Sequence, residues 1–397
     1  MNAALVRLPG HRFLHSPGPS RVPDEVLHAM SRQPMDLADP RVDACIAACE
    51  AGLKRLLHTE DDVFLYAANG HGAWEAVIAN LVAPGTKVLI AGTGHFSESW
   101  AVQTEAMGGV VIRTPWVEGL PIDPVEIEAM LRDDPLHEIA AVFAVHTDTA
   151  SGITSDLAAI RSAIDRAQHP ALYVVDVVAS LGAAPFAMDT LRCDVALGAC
   201  QKGLMLPPGL AFVAVNAEAM ERSRSNPQPR FYWDWRLRQS PLSYRKFCGT
   251  PPQSLLAGLE AALALIEREG EARVLARHRL LADAVHAAVA RWSEAGALSF
   301  FGSVPETRSV SVTTISTGPG VDPEALRAVA RERFEVAIAG GLGPLAGRAF
   351  RIGHLGDINA AMVLGALAGV EAAMMVQGVA FGRGGVERAA ARLAAGD

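Results

Sequence analysis

The sequence is poor in cysteine, and its few cysteines do not follow the pattern of a disulfide-rich or metal-binding protein. Five cysteines among 397 residues is an odd number, and their spacing is irregular, which argues against a disulfide framework. Cys45 and Cys49 lie four residues apart on a predicted helix and therefore share a face. Because no second Cys or His pair stands nearby, we interpret them as two small core residues rather than as metal ligands.

Concentrated charge and long apolar runs are also lacking. The formal net charge is -8, and no block of basic residues is long enough to neutralise a row of phosphates, so nucleic-acid binding is not expected. The N-terminal residues contain no apolar core of signal-peptide length, and the most apolar late stretch, Ala360–Val370, is too short to cross a bilayer. We therefore expect a cytoplasmic protein with no membrane and no nucleic-acid partner.

Apolar residues, by contrast, make up 50% of the chain, which is enough for a large buried core. In the first half, short and wholly apolar runs alternate with helical patterns, which predicts a mostly parallel sheet covered by helices on both faces. The predicted strands are Val63–Tyr66, Lys87–Ala91, Val110–Arg113, Ile139–Val145, Ala171–Val175, Val195–Leu197 and Leu210–Val215.

The character of the sequence changes after Pro251–Pro252. Two long helical patterns follow, and then a few strand-like pieces alternate with helices, which predicts a smaller α+β unit. We expect an N-terminal segment of residues 1–25, a large domain of residues 26–265 and a small C-terminal domain of residues 266–397.

Two ionisable residues follow predicted strands of the large sheet, and ligands of open parallel sheets gather at the carboxyl ends of the strands. Asp176 follows Ala171–Val175, where a carboxylate is either a helix cap or the counter-ion of a protonated ring nitrogen or a metal. Lys202 follows Val195–Leu197 among apolar residues, where it is either a surface lysine with a buried stem or a neutral amine nucleophile. One strand–connection–strand unit separates them, which predicts that they lie near each other.

Four other positions are candidates for ligand contacts. Residues 69–72 (NGHG) lie between a strand and a helix, where free N–H groups suit a phosphate, although ordinary turns look the same. The hydroxyl-rich loop of residues 146–152 follows another strand. Phe96 is either core or a stacking platform for a flat cofactor. Arg351 is either half of an internal ion pair or a clamp for a substrate carboxylate.

Together these residues resemble the class V aminotransferases of pyridoxal-phosphate (PLP) fold type I, especially the alanine–glyoxylate and serine–glyoxylate aminotransferases. The matching motifs span nearly the whole chain in the family's order: 16–19 (SPGP), 69–75 (NGHGAWE), 94–97 (GHFS), 175–182 (VDVVASLG), 201–210 (QKGLMLPPGL), 250–252 (TPP) and 351–356 (RIGHLG). The resemblance implies an α/β fold whose large domain contains a mostly parallel seven-stranded sheet, with a smaller α+β C-terminal domain. It also implies a homodimer with shared active sites.

The resemblance assigns roles to individual residues. Lys202 would bind PLP covalently, Asp176 would pair with the ring nitrogen and Phe96 would stack on the ring, and these three would be catalytic. Arg351 would bind the substrate carboxylate, and no metal is expected. The other cofactor contacts would come from Asn69, Gly70 and His71 at the phosphate, Gln201 beside the lysine, Thr149 from the polar loop, and Thr250 at the phosphate of the neighbouring subunit.

The reaction implied is a PLP-dependent transamination from an amino acid of the serine, alanine or aspartate type to a small 2-oxo acid such as glyoxylate or pyruvate. Three places depart from the family pattern: residues 37–40 read LADP instead of His-Arg-Ser/Asp-Pro, Asp148 replaces a Glu, and Phe247 stands where Tyr is common. The Asp-bearing loop is similar to that of pyridoxamine–pyruvate aminotransferase, which gives the alternative function.

Two further hypotheses stay open at this point. One is another PLP reaction, such as that of a lyase or a desulfurase. Desulfurases need a mobile nucleophilic cysteine late in the chain, and no cysteine follows Cys248, which argues against that branch. The other is a non-catalytic protein in which Lys202 is an ordinary lysine.

Overall fold

The computed structural model describes residues 10–396. Residues 1–9, on which part of the signal-peptide prediction depends, and Asp397 lie outside the described residues. The strands are β1 (Phe13–His15), β2 (Asp62–Tyr66), β3 (Lys87–Ile90), β4 (Val110–Arg113), β5 (Ile139–Val145), β6 (Thr147–Asp148), β7 (Ile153–Thr154), β8 (Leu172–Asp176), β9 (Val195–Ala199), β10 (Ala211–Val215), β11 (Leu298–Phe300), β12 (Val312–Thr317), β13 (Val336–Gly340) and β14 (Ala349–Gly353).

The helices alternate with these strands along the chain. They are α1 (Asp24–Met30), α2 (Pro40–Leu57), α3 (Gly70–Leu81), α4 (His95–Ala106), α5 (Pro124–Arg132), α6 (Leu157–Ala167), α7 (Ala217–Ser225), α8 (Trp235–Arg238), α9 (Ser243–Lys246), α10 (Gln253–Glu269), α11 (Glu271–Ser293), α12 (Pro323–Phe334), α13 (Ala360–Val376) and α14 (Gly385–Ala395). No helix among residues 10–396 is long and apolar enough to span a bilayer.

The larger sheet has seven strands in the order β2-β10-β9-β8-β5-β3-β4. Strands β4, β3, β5, β8 and β9 run parallel to one another, whereas β10 is antiparallel to both β9 and β2. The predicted mostly parallel sheet is therefore confirmed. Because β2 also points the same way as β9, the carboxyl ends of β2, β3, β5, β8 and β9 all meet at one edge.

Helices cover both faces of this sheet, as continuously apolar strands require. Successive residues of β5 show this, because Val142 packs in one hydrophobic cluster and Phe143 in another. The first cluster includes Leu53 of α2, and the second includes Trp74 of α3 and Trp100 of α4. The sheet is thus the middle of three layers, and its edges are where polar side chains can gather.

The second sheet has five strands in the order β1-β13-β14-β12-β11. Strand β1 pairs with β13 in parallel, and the other pairs are antiparallel. Helices α11, α12 and α13 pack on it through Trp292, Leu326 and Leu367, and α14 packs on α11 and α13 through Ala389. This arrangement fits the predicted smaller α+β unit.

The sequence did not predict β1 or β13. As a result, part of the expected N-terminal segment is an edge strand of the second sheet. Helix α10 packs against α1 and α2, whereas α11 packs against the second sheet and α14, so the chain passes between the units near Gly270. The boundaries 1–25, 26–265 and 266–397 stay a prediction.

Candidate active site

Residues at the carboxyl ends of five strands of the large sheet surround a cavity of about 280 Å³. Eight of its lining residues are predicted site residues: Asn69, Gly70, His71, Phe96, Thr149, Asp176, Gln201 and Lys202. Trp74 and Val178 also line it. A more open cleft of about 720 Å³ adjoins the cavity and shares His71 with it. We take the smaller cavity as the reacting centre because it contains both Lys202 and Asp176.

Lys202 lies just beyond β9 and is held by the N-terminal segment. Its Nζ donates a hydrogen bond to the carbonyl of Pro17, and its own carbonyl accepts one from Ser20 Oγ at 2.8 Å. The side chain also lies where a Cβ at Gly18 would be, so only glycine fits there. Burial, followed by the positive charge of Arg351, lowers the pKa of Lys202 to about 8. About one amine in ten is then neutral at pH 7, which makes Nζ available as a nucleophile.

Asp176 is the last residue of β8 and is almost fully buried. Its Oδ1 accepts a hydrogen bond from the N–H of Val178, and its Oδ2 accepts one from Trp74 Nε1, both at 2.7 Å. Burial raises the pKa of Asp176 to about 6, while these two donors and the charge of Lys202 oppose the rise. A buried carboxylate in this setting is suited to a cationic partner.

The first turn of α3 borders the same cavity. Asn69 caps the helix by accepting a hydrogen bond from the N–H of Gly72 at 3.1 Å. The N–H groups of Gly70 and His71 donate to no described residue, so they remain available to an anion at the positive end of the helix dipole. A Cβ at Gly70 would lie 3.3 Å from Val178, and the missing side chain leaves the approach open.

Phe96 is held at the cavity by a buried carboxylate, Asp148. The Oδ2 atom of Asp148 accepts hydrogen bonds from the N–H of Phe96 at 3.0 Å and from Thr93 Oγ1 at 3.1 Å. Its Oδ1 accepts one from the N–H of Ala150 at 2.8 Å. Burial raises the pKa of Asp148, and these donors oppose the rise. The departure from Glu thus leaves a carboxylate that fixes the Phe96 backbone.

Arg351 reaches the site from β14 without lining the cavity. Its Nε donates to the carbonyl of Gly340 at 2.6 Å, and its Nη1 donates to the carbonyl of Thr149 at 2.8 Å. The Nη2 atom makes no hydrogen bond with a residue in the described range. Burial lowers the pKa of Arg351 to about 10. The alternative interpretation was an internal ion pair. The structure does not show one, because both hydrogen-bond acceptors of Arg351 are carbonyl groups.

Thr250 is a second predicted site residue that does not line the cavity. It is exposed in the loop between α9 and α10, a placement that its predicted role at a neighbouring subunit requires. Phe247 is buried in the core of its own chain. Residues 37–40 lead into α2, where Asp39 caps the helix through the N–H of Arg41 at 3.0 Å.

Sequence reasoning assigned no role to Trp74, Pro17 or Ser20, although all three lie in or next to the family motifs. A signal for Trp74 was present, because a carboxylate buried at a strand end needs donors and Trp74 lies on the helix that begins at the same edge. The seat that Pro17 and Ser20 form for Lys202 had no local signal, since it depends on contacts between distant parts of the chain.

The donor set fits a flat aromatic aldehyde phosphate. An amine of lowered pKa, a buried carboxylate, an aromatic ring and free helix N–H groups line one cavity, and Gln201 Oε1 is buried beside them without a partner among the described residues. Within residues 10–396, no three His, Cys, Asp or Glu side chains are grouped as ligands for a metal ion.

Comparison with known proteins gives a consistent result. A family model described as aminotransferase class-V matches residues 12–345. The serine–glyoxylate aminotransferase of Methylorubrum extorquens is 39% identical over 384 residues, which are 95% of this chain and 94% of that protein. The L-aspartate–glyoxylate aminotransferase of Paracoccus denitrificans is 39% identical over 361 residues, 90% of each chain. The crystal structure of pyridoxamine–pyruvate aminotransferase from Mesorhizobium loti superposes with a TM-score of 0.87 at 27% identity, covering 98% of this chain and 100% of that one.

Proposed function

The chain belongs to the class V aminotransferases and is a PLP-dependent transaminase, and on this premise we propose that it transfers the amino group of a small amino acid to glyoxylate. The donors that we infer are of the serine, alanine or aspartate type, and pyruvate is the second acceptor. The observation that carries the proposal is the joint burial of Lys202 and Asp176 in one cavity. The names of the two relatives that share 39% of their residues with this chain support glyoxylate as the acceptor.

We assign the cofactor contacts as the donor set suggests. Lys202 would hold PLP covalently, Asp176 would face the ring nitrogen, and Phe96 would stack on the ring. The N–H groups of Gly70 and His71, with Asn69, would hold the phosphate, and Thr149 and Gln201 would complete the contacts. When bound, PLP supplies an aldehyde that reacts with primary amines and a protonated ring that withdraws electrons.

The chain's own residues then handle protons and orientation. The Lys202 Nζ would accept the proton from the substrate α-carbon and return a proton when the acceptor is converted. Asp176 would supply a negative charge to the ring nitrogen. Burial of both groups excludes water, which strengthens their electrostatic interaction.

Arg351 is the residue that we propose for binding the substrate carboxylate. Two of its nitrogens are held by the carbonyl groups of Gly340 and Thr149, and the Nη2 atom is left for a ligand. Because the guanidinium is already oriented, little side-chain entropy is lost when a carboxylate binds. Thr149 connects the cavity to this arginine, so substrate and cofactor sites share one hydrogen-bonded unit.

We also propose a homodimer with shared active sites, in which Thr250 reaches the phosphate of the neighbouring subunit. Support comes from the segment around Thr250, where Phe231, Leu242 and Tyr244 are exposed, since apolar residues of this size mark protein interfaces. A cytoplasmic location is proposed with it, supported by the five free thiols. Light scattering on the purified protein tests the oligomeric state directly.

A matrix of donors and acceptors tests the proposed function. L-serine, L-alanine and L-aspartate are each incubated with glyoxylate, pyruvate, oxaloacetate or 2-oxoglutarate, and the keto-acid and amino-acid products are identified. We expect glycine to form from glyoxylate with at least one of the three donors. If PLP binds but no donor yields glycine or alanine, the proposed substrates are wrong.

The alternative function is a transfer from free pyridoxamine to pyruvate. The structural likeness to the Mesorhizobium loti enzyme and the Asp148-bearing loop favour it. One further arm of the matrix, pyridoxamine with pyruvate, separates the two, because it forms free pyridoxal and alanine without an amino-acid donor. Turnover in this arm that exceeds turnover with every amino acid would replace the main proposal.

A further inference from the structure

We propose that Trp74 is a positioning residue that keeps Asp176 ionised and oriented toward the ring nitrogen of the cofactor. The inference rests on the proposed function of the cavity and adds a residue to which sequence reasoning gave no role. Trp74 acts through Asp176, and its own contribution is the hydrogen bond that its indole N–H donates.

Asp176 uses each carboxylate oxygen for one donor. The backbone N–H of Val178 holds Oδ1, and the indole N–H of Trp74 holds Oδ2, at 2.7 Å in each case. Only 4% of Asp176 and 2% of Trp74 is exposed, so the indole and not bulk solvent supplies the second donor. Because two donors from different elements fix both oxygens, the plane of the carboxylate is defined before any ligand binds.

The indole of Trp74 has little freedom to turn away. It stacks on Trp100, with ring centroids 5.5 Å apart and planes within 9° of each other, and Trp100 stacks in turn on Phe143 at 4.5 Å. The rings of Phe96 and Trp74, which both line the cavity, pack edge to face with centroids 6.3 Å apart. This stack therefore aims the N–H at the end of β8 and ties Asp176 to the proposed platform of the ring.

The charges around Asp176 show why a second donor matters. From the Gln201-Lys202 turn, Lys202 favours the charged carboxylate, whereas Asp148 in the polar loop disfavours it. On α3, the imidazole of His71 packs on Trp74 with centroids 4.5 Å apart, and burial lowers the pKa of His71. Burial is the largest influence on Asp176 and opposes ionisation. Removing one donor would thus shift the carboxylate toward its neutral form, which cannot stabilise a protonated ring.

Trp74→Phe tests the proposal, and Trp292→Phe is the matched control. Trp292 is also buried and also donates its indole N–H to a carboxylate, Glu371 Oε1 at 2.8 Å, but it lies in the second unit away from the cavity. Both variants lose the same kind of hydrogen bond. Only the Trp74 variant loses it at Asp176.

The main readout is the absorbance of bound PLP between pH 5 and 9, together with its dissociation constant. A hydrogen bond to a charged group is worth roughly one pKa unit or more. For Trp74→Phe we expect the midpoint pH of the change in PLP absorbance to rise by about one unit. We also expect PLP binding at neutral pH to weaken about tenfold and kcat to fall by a larger factor than KM changes. For Trp292→Phe we expect the spectrum and kcat to match the wild type while the thermal midpoint falls.

A double-mutant cycle separates the loss of the hydrogen bond to Asp176 from a change in the packing around Trp74. The cost of Trp74→Phe in PLP affinity is measured again in an Asp176→Asn background, where no carboxylate charge remains to be stabilised. We expect most of the tenfold cost to disappear there. An equal cost in both backgrounds, or an unmoved pH transition in Trp74→Phe, would overturn the positioning role, while a wild type that binds PLP and makes glycine would leave the proposed function standing.

Discussion

Two buried tryptophan–carboxylate pairs lie in different parts of the molecule, and their surroundings differ more than their chemistry. Trp74 donates to Asp176 at the edge of the large sheet, and Trp292 donates to Glu371 beneath the second sheet. Each carboxylate also accepts one backbone N–H, from Val178 and from Val386. The first pair faces a cavity that contains a lysine, whereas the second is closed by packed helices.

The hydrogen bonds are distributed differently in the two pairs. Asp176 uses one oxygen for each donor, while Glu371 uses Oε1 for both of its donors. A Cβ at Gly385 would collide with Trp292 and Glu371. The start of α14 therefore packs closely against α11 and α13 at this pair. Burial and hydrogen-bond donors alone therefore do not distinguish a carboxylate at a candidate active site from a structural one. What distinguishes Asp176 is the adjoining cavity and a nearby amine of lowered pKa.

Of the substitutions that distinguish the two pairs, Lys202→Ala is expected to have the largest effect on activity. Without the amine there is no covalent attachment and no base at the substrate α-carbon, so we expect activity to fall by roughly a thousandfold or more. Absorbance of the dialysed protein and initial rates measure this. Lys87→Ala is the control, because Lys87 pairs with Glu138 at the surface. A Lys202 variant that keeps the wild-type visible band after dialysis would show that another amine holds PLP.

Glu371→Ala should lower stability and leave cofactor binding unchanged. It leaves the N–H groups of Trp292 and Val386 buried without their acceptor, which costs about 3 kcal/mol in the free energy of unfolding. We expect urea denaturation to show this loss and the PLP spectrum to stay unchanged. A shifted spectrum in a folded Glu371 variant would break the distinction between the two pairs.

Arg351→Lys is expected to act on substrate rather than on cofactor. A lysine cannot make the two carbonyl contacts to Gly340 and Thr149 while also presenting a planar fork to a carboxylate. We expect KM for the amino donor to rise about thirtyfold, or about 2 kcal/mol, with PLP affinity within about twofold of the wild type. Arg348→Lys, at a surface pair with Glu118, should leave KM unchanged. Equal KM values in both variants would remove Arg351 from the substrate site.

The smallest expected effect is an acid sensitivity of the second unit. His278 donates through Nδ1 to the carbonyl of Val274 and accepts the N–H of Gly356 at Nε2, so its folded form is neutral. Burial lowers its pKa to about 4. The unfolded chain, with an ordinary pKa near 6.5, binds the proton more readily, and stability is therefore lost as the pH falls from about 6.5 toward 4.

In His278→Gln, the free energy of unfolding should fall by about 2 kcal/mol less between pH 7 and pH 5 than it does in the wild type. The free energy of unfolding, measured by urea denaturation at both pH values, gives the difference for each protein. His28→Gln, at an exposed position, should behave like the wild type. An unchanged pH dependence in the His278 variant would mean that this imidazole is not the group that titrates.

Much of the large sheet could be predicted because its signals are local. The continuous apolar run Ile139–Val145 is a strand with the predicted bounds, and the rule that ligands gather at strand ends placed Asp176 and Lys202 at one edge. Strand β13 was missed because Val336–Gly340 alternates large residues with alanine and glycine, a weak signal. Strand β1 was missed because the strand that it pairs with within residues 10–396 is β13, far along the chain.

The site could be predicted only in part, for a related reason. Residue types and strand ends indicate which groups gather, but not which way each side chain points. That Trp74 points its N–H at Asp176 follows from its stacking on Trp100. That Arg351 binds two carbonyl groups instead of a carboxylate depends on the end of β13 and on the loop that carries Thr149, which lie far apart in the sequence.

The seat of Lys202 also has a consequence for biosynthesis. Pro17 and Ser20 hold the lysine loop, and they follow directly on β1, whose pairing partner β13 leaves the ribosome about 320 residues later. Strand β1 therefore has to wait for β13 through most of translation, and a chain arrested before Val336 lacks the strand on which the segment that holds Lys202 is anchored. Ribosome-bound chains of increasing length offer a direct way to observe when this segment is fixed.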